Sequence, residues 1–252
     1  MDNIVLITGA SSGFGEECAR VFAKQGSYRL ILASRRLDLL DKLASELRPM
    51  CDVHISELDV SSTTSVDKFL TDLPEKYRDI DIFINSAGLA LGLDPTQNSN
   101  FEDWNVMIQT NVMGMLRLTH AILPRMVERN KGHIVSLGST AGNWPYPGGN
   151  VYGATKSFIQ SFARGLKSDL LGTNVRITNI DPGLSKTNFS LTRFKGDAVR
   201  ADSLYENKKP LLAEDVASII CWVCSLPSHV NINNIEVMPV CQAFAGLSVS
   251  SS

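Results

Sequence analysis

Hydrophobic positions along the chain fall into short β-branched runs separated by longer stretches with helical spacing. The runs Ile4–Thr8, Arg29–Ser34, Val53–Leu58, Ile80–Asn85, His133–Gly138, Val175–Ile180 and Asn234–Met238 predict seven strands. Between them, Phe14–Gln25, Leu37–Leu47, Thr64–Leu73, Phe101–Arg129, Val151–Leu171 and Ala213–Leu226 predict helices. Such alternation implies an α/β architecture: a doubly wound, seven-stranded parallel sheet with helices on both faces and right-handed crossovers. Ligands of these sheets bind beyond the carboxyl ends of the strands, where the strand order reverses. No repeat or linker divides the chain, so residues 1–252 are expected to form a single domain. Leu89–Asn100, Asn143–Asn150 and Leu184–Asn207 read as loops. The last is the longest and follows the sixth strand at the ligand edge, which predicts a substrate loop or lid around 184–207. Ser248–Ser252 is expected to fray.

Composition changes this picture little. The hydrophobic fraction of 44% and charged fraction of 20% suit a soluble globular chain. A net charge of −2 gives no electrostatic reason to expect nucleic acid or an anionic membrane as partner. No apolar run approaches the ~20 residues that span a bilayer. Met1-Asp2-Asn3 leads directly into Ile4 without a basic leader, so a cytoplasmic location is expected. The five cysteines, an odd count, argue against a disulfide framework. Cys221 and Cys224 form a CxxC without a second ligand pair, so they read as small apolar residues on a buried helix face, and no metal site is expected. His120, His133 and His229 read as structural.

The candidate chemistry lies in three places. Thr8-Gly9-Ala10-Ser11-Ser12-Gly13-Phe14-Gly15 joins the first strand to the first helix with the spacing G-x-x-x-G-x-G. Glycines there let the backbone approach a pyrophosphate, and the helix N-terminus offers it free N–H groups. At the end of the second strand, Ser34-Arg35-Arg36 stands where an acidic residue would receive the ribose 2′-hydroxyl of NAD. Two guanidiniums and a hydroxyl suit a 2′-phosphate, which favours NADP. Asp59-Val60 follows the third strand, placed for the adenine, and Asn85-Ser86-Ala87-Gly88 follows the fourth, placed for the nearer ribose. Finally, Tyr152 and Lys156 are one helical turn apart on one face, with Ser139 upstream. A cation beside a phenol favours the phenolate, and a hydroxyl can hold a reacting oxygen next to it, an arrangement for proton transfer to or from an alcohol or carbonyl.

Thr8–Gly15, Asn85–Gly88, Asn111, Ser139, Tyr152-x-x-x-Lys156 and Pro182-Gly183 follow the order of the short-chain dehydrogenase/reductase superfamily, which the chain resembles. Closer resemblance, to the NADP-dependent 3-hydroxy acid dehydrogenases, runs through Gly88–Gly92, Glu102-Asp103-Trp104, Ser139–Tyr146, Gly148–Lys156, Arg193–Asp197 and Leu226–Asn233. That group includes serine 3-dehydrogenases, allo-threonine dehydrogenases and malonic semialdehyde reductases. The resemblance implies a Rossmann fold, a homotetramer, and a hydroxy acid or semialdehyde as the small-molecule partner. It also implies Tyr152 as acid/base, Ser139 as the residue orienting the reacting oxygen, and Lys156 as the group that holds the nicotinamide ribose and lowers the tyrosine pKa. Asn111 would kink its helix and hold a water that passes protons from Lys156 to solvent, while Pro182, Gly183 and Thr187 would border the nicotinamide. Ser86 stands where a second asparagine is usual, and Lys186 where an acidic or small residue is more familiar. A hydroxy acid needs a cation for its carboxylate, and Arg193, then Lys195, are the candidates in the loop. The alternatives are a reductase of neutral ketones or 3-oxoacyl thioesters and, outside enzymes, an NADP-binding sensor or scaffold.

Overall fold

The computed structural model describes residues 3–244, so the expected fraying of Ser248–Ser252 lies outside the described residues, as do Met1 and Asp2. The first half of the sheet is built from β1 (Asn3–Thr8), α1 (Gly13–Lys24), β2 (Tyr28–Ser34), α2 (Leu37–Leu47), β3 (Val53–Glu57), α3 (Thr63–Asp72) and β4 (Ile82–Asn85). The second half follows as α4 (Phe101–Ile108), α5 (Gly114–Glu128), β5 (Gly132–Leu137), α6 (Asn150–Asp169) and β6 (Val175–Pro182). After it come β7 (Ser185–Lys186), α7 (Phe189–Arg193), α8 (Ala198–Ser203), β8 (Leu211–Leu212), α9 (Ala213–Ser225) and β9 (Asn234–Val237). Seven strands pair in parallel in the order β3-β2-β1-β4-β5-β6-β9, the expected single-domain Rossmann sheet.

The pleat explains why the central strands β1 and β4 are apolar along most of their length. Along β1, Val5 and Ile7 pack with Phe22 of α1, Leu40 of α2 and Ile220 of α9. Ile4 and Leu6 point the other way, against Phe69 of α3 and Leu118 and Ile122 of α5. Both faces of the sheet are therefore covered, and the chain's polar chemistry is left to the strand ends. The order reverses between β1 and β4, so a cleft opens beyond their carboxyl ends.

Two expectations are corrected. The helix expected over Phe101–Arg129 is interrupted by a π-helical turn, Gln109–Met113, between α4 and α5. Segment 184–207 is not a plain loop: it contains β7, α7 and α8, and β7 pairs with β8. These helices have five and six residues, too short to repeat an apolar period, and α8 depends on its Asp197 cap, which accepts from Arg200 N–H at 3.0 Å. The CxxC behaves as expected: Cys221 and Cys224 are buried free thiols on α9, packed in the core with Cys18. No cluster of metal-ligating side chains is found among the described residues. Among the described residues, no helix is long and apolar enough to cross a membrane.

Candidate active site

The glycine turn places its backbone at the reversal point. Gly9 adopts φ +66°, and a side chain there would press on the backbone of Ala87 after β4. At Gly15 a Cβ would fall 2.6 Å from the Gly9 carbonyl oxygen, so the absence of a side chain lets α1 sit directly against the turn. Gly15 serves this packing and does not itself line the cleft. The Ser12 side chain does not cap α1, which leaves the N–H groups of the first turn free to face a ligand.

A cleft of about 280 Å³ runs from this turn across the strand ends. Gly9, Ser11, Ser12, Gly13 and Phe14 form its floor, and Ser34, Arg35 and Arg36 close its far end. Asp59, Val60, Ala87 and Gly88 line the walls, together with Ser86 and Thr187. Arg36 is already oriented: its Nε and Nη2 donate to Ser11 Oγ at 3.1 and 2.8 Å, and Nη2 also donates to Ser12 Oγ at 2.8 Å. Ser34 Oγ accepts from the Arg36 N–H at 3.1 Å. Asp59 accepts from the N–H and hydroxyl of Ser61, which fixes the loop after β3. Asn85 differs from expectation. It is buried at the end of β4 and does not line the cleft, and Ser86, Ala87 and Gly88 form that wall instead. An open glycine cradle, uncapped helix amides and a basic end together fit a dinucleotide with an added phosphate.

A second cavity of about 460 Å³ adjoins the first and shares Phe14, Ser86, Gly88, Thr187 and Phe189 with it. Ser139, Tyr152, Lys156 and Arg193 all line it, although they come from three separate parts of the chain. Pro182 and Gly183 border it as well. Ser139 Oγ accepts from Ala141 N–H at 3.1 Å, so its own proton remains available to a ligand oxygen. Lys156 Nζ donates to the Leu137 carbonyl at 2.7 Å and lies 5.7 Å from the Tyr152 ring centroid.

The expected electrostatics need correction. Burial pushes the Tyr152 phenol up to about 12, and the neighbouring Ser139 hydroxyl and Arg193 guanidinium oppose this only in part. Burial also lowers the Lys156 ammonium to about 8, with Asp181 acting against the shift. Arg193 therefore joins Lys156 as a cation that favours the Tyr152 phenolate, against the burial that desolvates both groups of the helical pair.

Asn111 lies in the π turn, buried, and lines neither cavity. It accepts from Leu89 N–H at 2.8 Å and donates to the Leu89 carbonyl at 2.8 Å and to Thr155 Oγ1 at 3.1 Å. Both amide protons are spent on binding the loop after β4 to α6. Lys195 is turned outward into an ion pair with Asp103, 2.8 Å away, and so leaves the cavity to Arg193. Lys186 points toward the Tyr205 ring and lines neither cavity.

Arg193 is held among aromatic rings. Its guanidinium carbon lies 5.0 Å from the ring centroids of Tyr152 and Phe189 and 5.8 Å from that of Tyr146. Nη2 donates to Tyr146 OH at 2.8 Å, whereas the buried Nε has no partner. The Arg193 carbonyl accepts from Gly92 N–H at 3.0 Å, tying α7 to the loop after β4. Tyr146, Phe189 and Trp144, the last donating to Glu236 at 2.9 Å, are lining residues that the sequence alone did not single out. A Gly-Gly step beside Tyr146 is the one local sign, since its ring packs where a Gly149 side chain would be.

A model of the short chain dehydrogenase family matches residues 3–197. The NADP-dependent 3-hydroxy acid dehydrogenase of Salmonella typhi is 51% identical over 250 residues, covering 99% of this chain and all of that protein. Sulfoacetaldehyde reductase 2 of Chromohalobacter salexigens is 48% identical, with 99% of each chain covered. A solved closed form of serine dehydrogenase complexed with NADP+ superposes with a TM-score of 0.96 at 49% identity, covering 99% of this chain and 100% of that one. With the glycine turn, the Ser139–Tyr152–Lys156 cavity and similarity over essentially its full length, the chain belongs to the short-chain dehydrogenase family.

Proposed function

We propose that the protein is an NADP-dependent oxidoreductase that interconverts short 3-hydroxy acids and the corresponding 3-oxo acids or semialdehydes. The observation that supports this most is the convergence of Ser139, Tyr152, Lys156 and Arg193 on one cavity that continues into the basic glycine cleft. Relatives named for NADP and for 3-hydroxy acids or serine, at about half identity, support the same substrate class. Gly9, Ser11, Ser12, Gly13, Phe14, Ser34, Arg35 and Arg36 would hold the nucleotide, with Arg36 turned to the 2′-phosphate. When bound, NADP+ supplies the hydride-accepting carbon.

In the oxidising direction Tyr152 removes the hydroxyl proton of the substrate, and Ser139 donates a hydrogen bond to the same oxygen. Lys156 holds the ribose side of the site and stabilises charge on the phenol oxygen. Arg193 receives the substrate anion on the part of its guanidinium that lines the cavity, beside the Nη2 bonded to Tyr146. An anion one methylene from the reacting carbon is a carboxylate here, and the Chromohalobacter relative's name suggests a sulfonate of equal spacing as a second choice. Asn111 acts as a positioning residue, and a proton relay from Lys156 would use a backbone carbonyl of the π turn, where helical bonding is interrupted. The segment around 184–207 acts as the substrate lid, tied down by Arg193 and Lys195.

Reduction of neutral ketones keeps some support from the apolar wall of Trp144, Phe189 and Phe244. A homotetramer and a cytoplasmic location belong to the same proposal. Phe101, Phe158 and Trp222 leave apolar surface that further copies would cover, and five free thiols suit a reducing compartment. Tyr152→Phe tests the chemistry: turnover should fall by roughly 10²–10⁴-fold while NADPH still binds. Turnover close to that of the wild type would remove Tyr152 from the reaction.

A further inference from the structure

Asp181, immediately before Pro182, is 1% exposed at the carboxyl end of β6. Ser139 N–H donates to its Oδ1 at 2.9 Å, and Gln160 Nε2 donates to its Oδ2 at 3.1 Å. The Asn179 and Asn234 amides also favour its charged form, whereas burial opposes it. All these donors are neutral. Burying a carboxylate among neutral donors costs stability, so this position calls for a use other than stability.

The two anchored groups indicate that use. Gln160 stands on α6, one turn beyond Lys156 and two beyond Tyr152, and therefore on the same helix face. Ser139 stands on the turn after β5, on a different element from α6. At the intervening Gly138 a side chain would overlap Asp181 Oδ1 and the Asn179 amide, so the serine turn packs directly on the carboxylate. Gly138 N–H also donates to the Ile180 carbonyl at 2.7 Å, in register with the strand that carries Asp181.

We propose that Asp181, with Gln160, is a positioning residue: it fixes the Ser139 hydroxyl relative to the Tyr152–Lys156 face of α6. The role rests on Ser139 and Tyr152 acting on the reacting oxygen, as set out above. Asp181 touches neither substrate nor cofactor in this scheme. It acts through the Ser139 backbone and through its charge.

The test uses the full-length enzyme with NADP+ and a 3-hydroxy acid. Asp181→Asn keeps an acceptor for Ser139 N–H but removes the charge, Asp181→Ala removes both, and Gln160→Met cuts only the link to α6. Displacing a catalytic group by about an ångström typically costs on the order of a hundredfold, so kcat in Asp181→Ala should fall roughly tenfold to a hundredfold. Asp181→Asn should recover part of that loss. KM should move by less than about threefold, because the lost interaction serves the transition state, and NADPH affinity should hold.

The pH profile separates positioning from mere structural support. Tyr152 and Lys156 face Asp181 from α6, Glu236 lies beside it on β9, and Arg193 and Tyr146 face the phenol from the other side. Only the Asp181 charge changes in Asp181→Asn, and that charge opposes ionisation of the phenol. The rising limb of oxidation should therefore move to lower pH in this variant. Wild-type kcat to within about twofold in Asp181→Ala, or in Asp181→Asn and Gln160→Met if the alanine variant does not fold, together with an unmoved limb, would overturn the proposal. Parallel Ser139→Ala and Tyr152→Phe variants identify which premise failed. If they lose turnover and the Asp181 variants do not, only the positioning role is wrong; if they retain turnover, the acid–base scheme falls with it.

Discussion

Arg193 offers the sharpest reading of substrate class. Removing its side chain in Arg193→Ala leaves the aromatic cage of Tyr146, Tyr152 and Phe189 but no cation in it. Nη2 is committed to Tyr146 OH at 2.8 Å, and Arg193 lines the cavity, so a substrate anion would gain at least one charge-assisted hydrogen bond from the rest of the guanidinium. Such a bond contributes about 1.5–3 kcal/mol. That corresponds to roughly a tenfold to hundredfold loss in kcat/KM. Arg193 is only half-buried, which keeps the effect well below the ~4 kcal/mol of a unit charge pair 4 Å apart at an effective dielectric of 20. The guanidinium also favours the Tyr152 phenolate, so its loss should slow every substrate to some extent. The informative quantity is therefore a ratio: kcat/KM for 3-hydroxypropionate over that for 3-hydroxypropionamide, its neutral isostere, measured by NADPH formation. The ratio should drop by the full factor in Arg193→Ala and by an intermediate factor in Arg193→Lys, which keeps the charge without the fork. An unchanged ratio, with both substrates slowed alike, would refute anion recognition by Arg193.

Two further outcomes are expected. Arg36→Ala should weaken NADPH by about ten- to a hundredfold and NADH by far less in fluorescence titration, since Arg36 is oriented by Ser11 and Ser12 at the basic end of the cleft; equal weakening of both would place the 2′-phosphate elsewhere. His133 is buried in neutral form, bonded through Nε2 to Thr178 Oγ1 at 2.8 Å and pushed from 6.5 down to about 3, so the unfolded chain takes up its proton first. Its contribution is complete above the unfolded pKa and is lost as pH falls toward the folded value, about 2 kcal/mol between pH 6.5 and 5. Urea unfolding at the two pH values should show that loss, and His133→Gln should flatten it; the same slope in both proteins would assign acid sensitivity to other groups.

What was legible in the sequence follows the range of the interactions. The strands were visible because both faces of the sheet are covered, which makes runs such as Ile4–Ile7 apolar without interruption. Tyr152 and Lys156 were visible because one helical turn relates them, and the glycine turn because its geometry is local. Arg193 was chosen by loop position and charge, and it does line the cavity with Tyr152. Asp181 was passed over, although its neighbours Pro182 and Gly183 were singled out, because its partners Ser139 and Gln160 arrive from other elements. The same is true of Tyr146, whose bond to Arg193 spans 47 residues. The π turn at Gln109–Met113 left no mark in the apolar periodicity of the helical pattern on either side. The direction of the Tyr152 shift is hidden for a related reason: charge can be read from sequence, whereas burial of both members of a helical pair cannot.

The central claim is that this chain oxidises short 3-hydroxy acids with NADP+, and one spectrophotometric panel addresses it directly. The purified protein is supplied with NADP+ or NAD+ and with serine, allo-threonine, 3-hydroxypropionate or neutral alcohols of matched size, and formation of the reduced nucleotide is followed. The account predicts reduction of NADP+ by at least one hydroxy acid, with kcat/KM well above that of its neutral counterpart and little reaction with NAD+. A preference for the neutral alcohols, or equal use of NAD+, would contradict it.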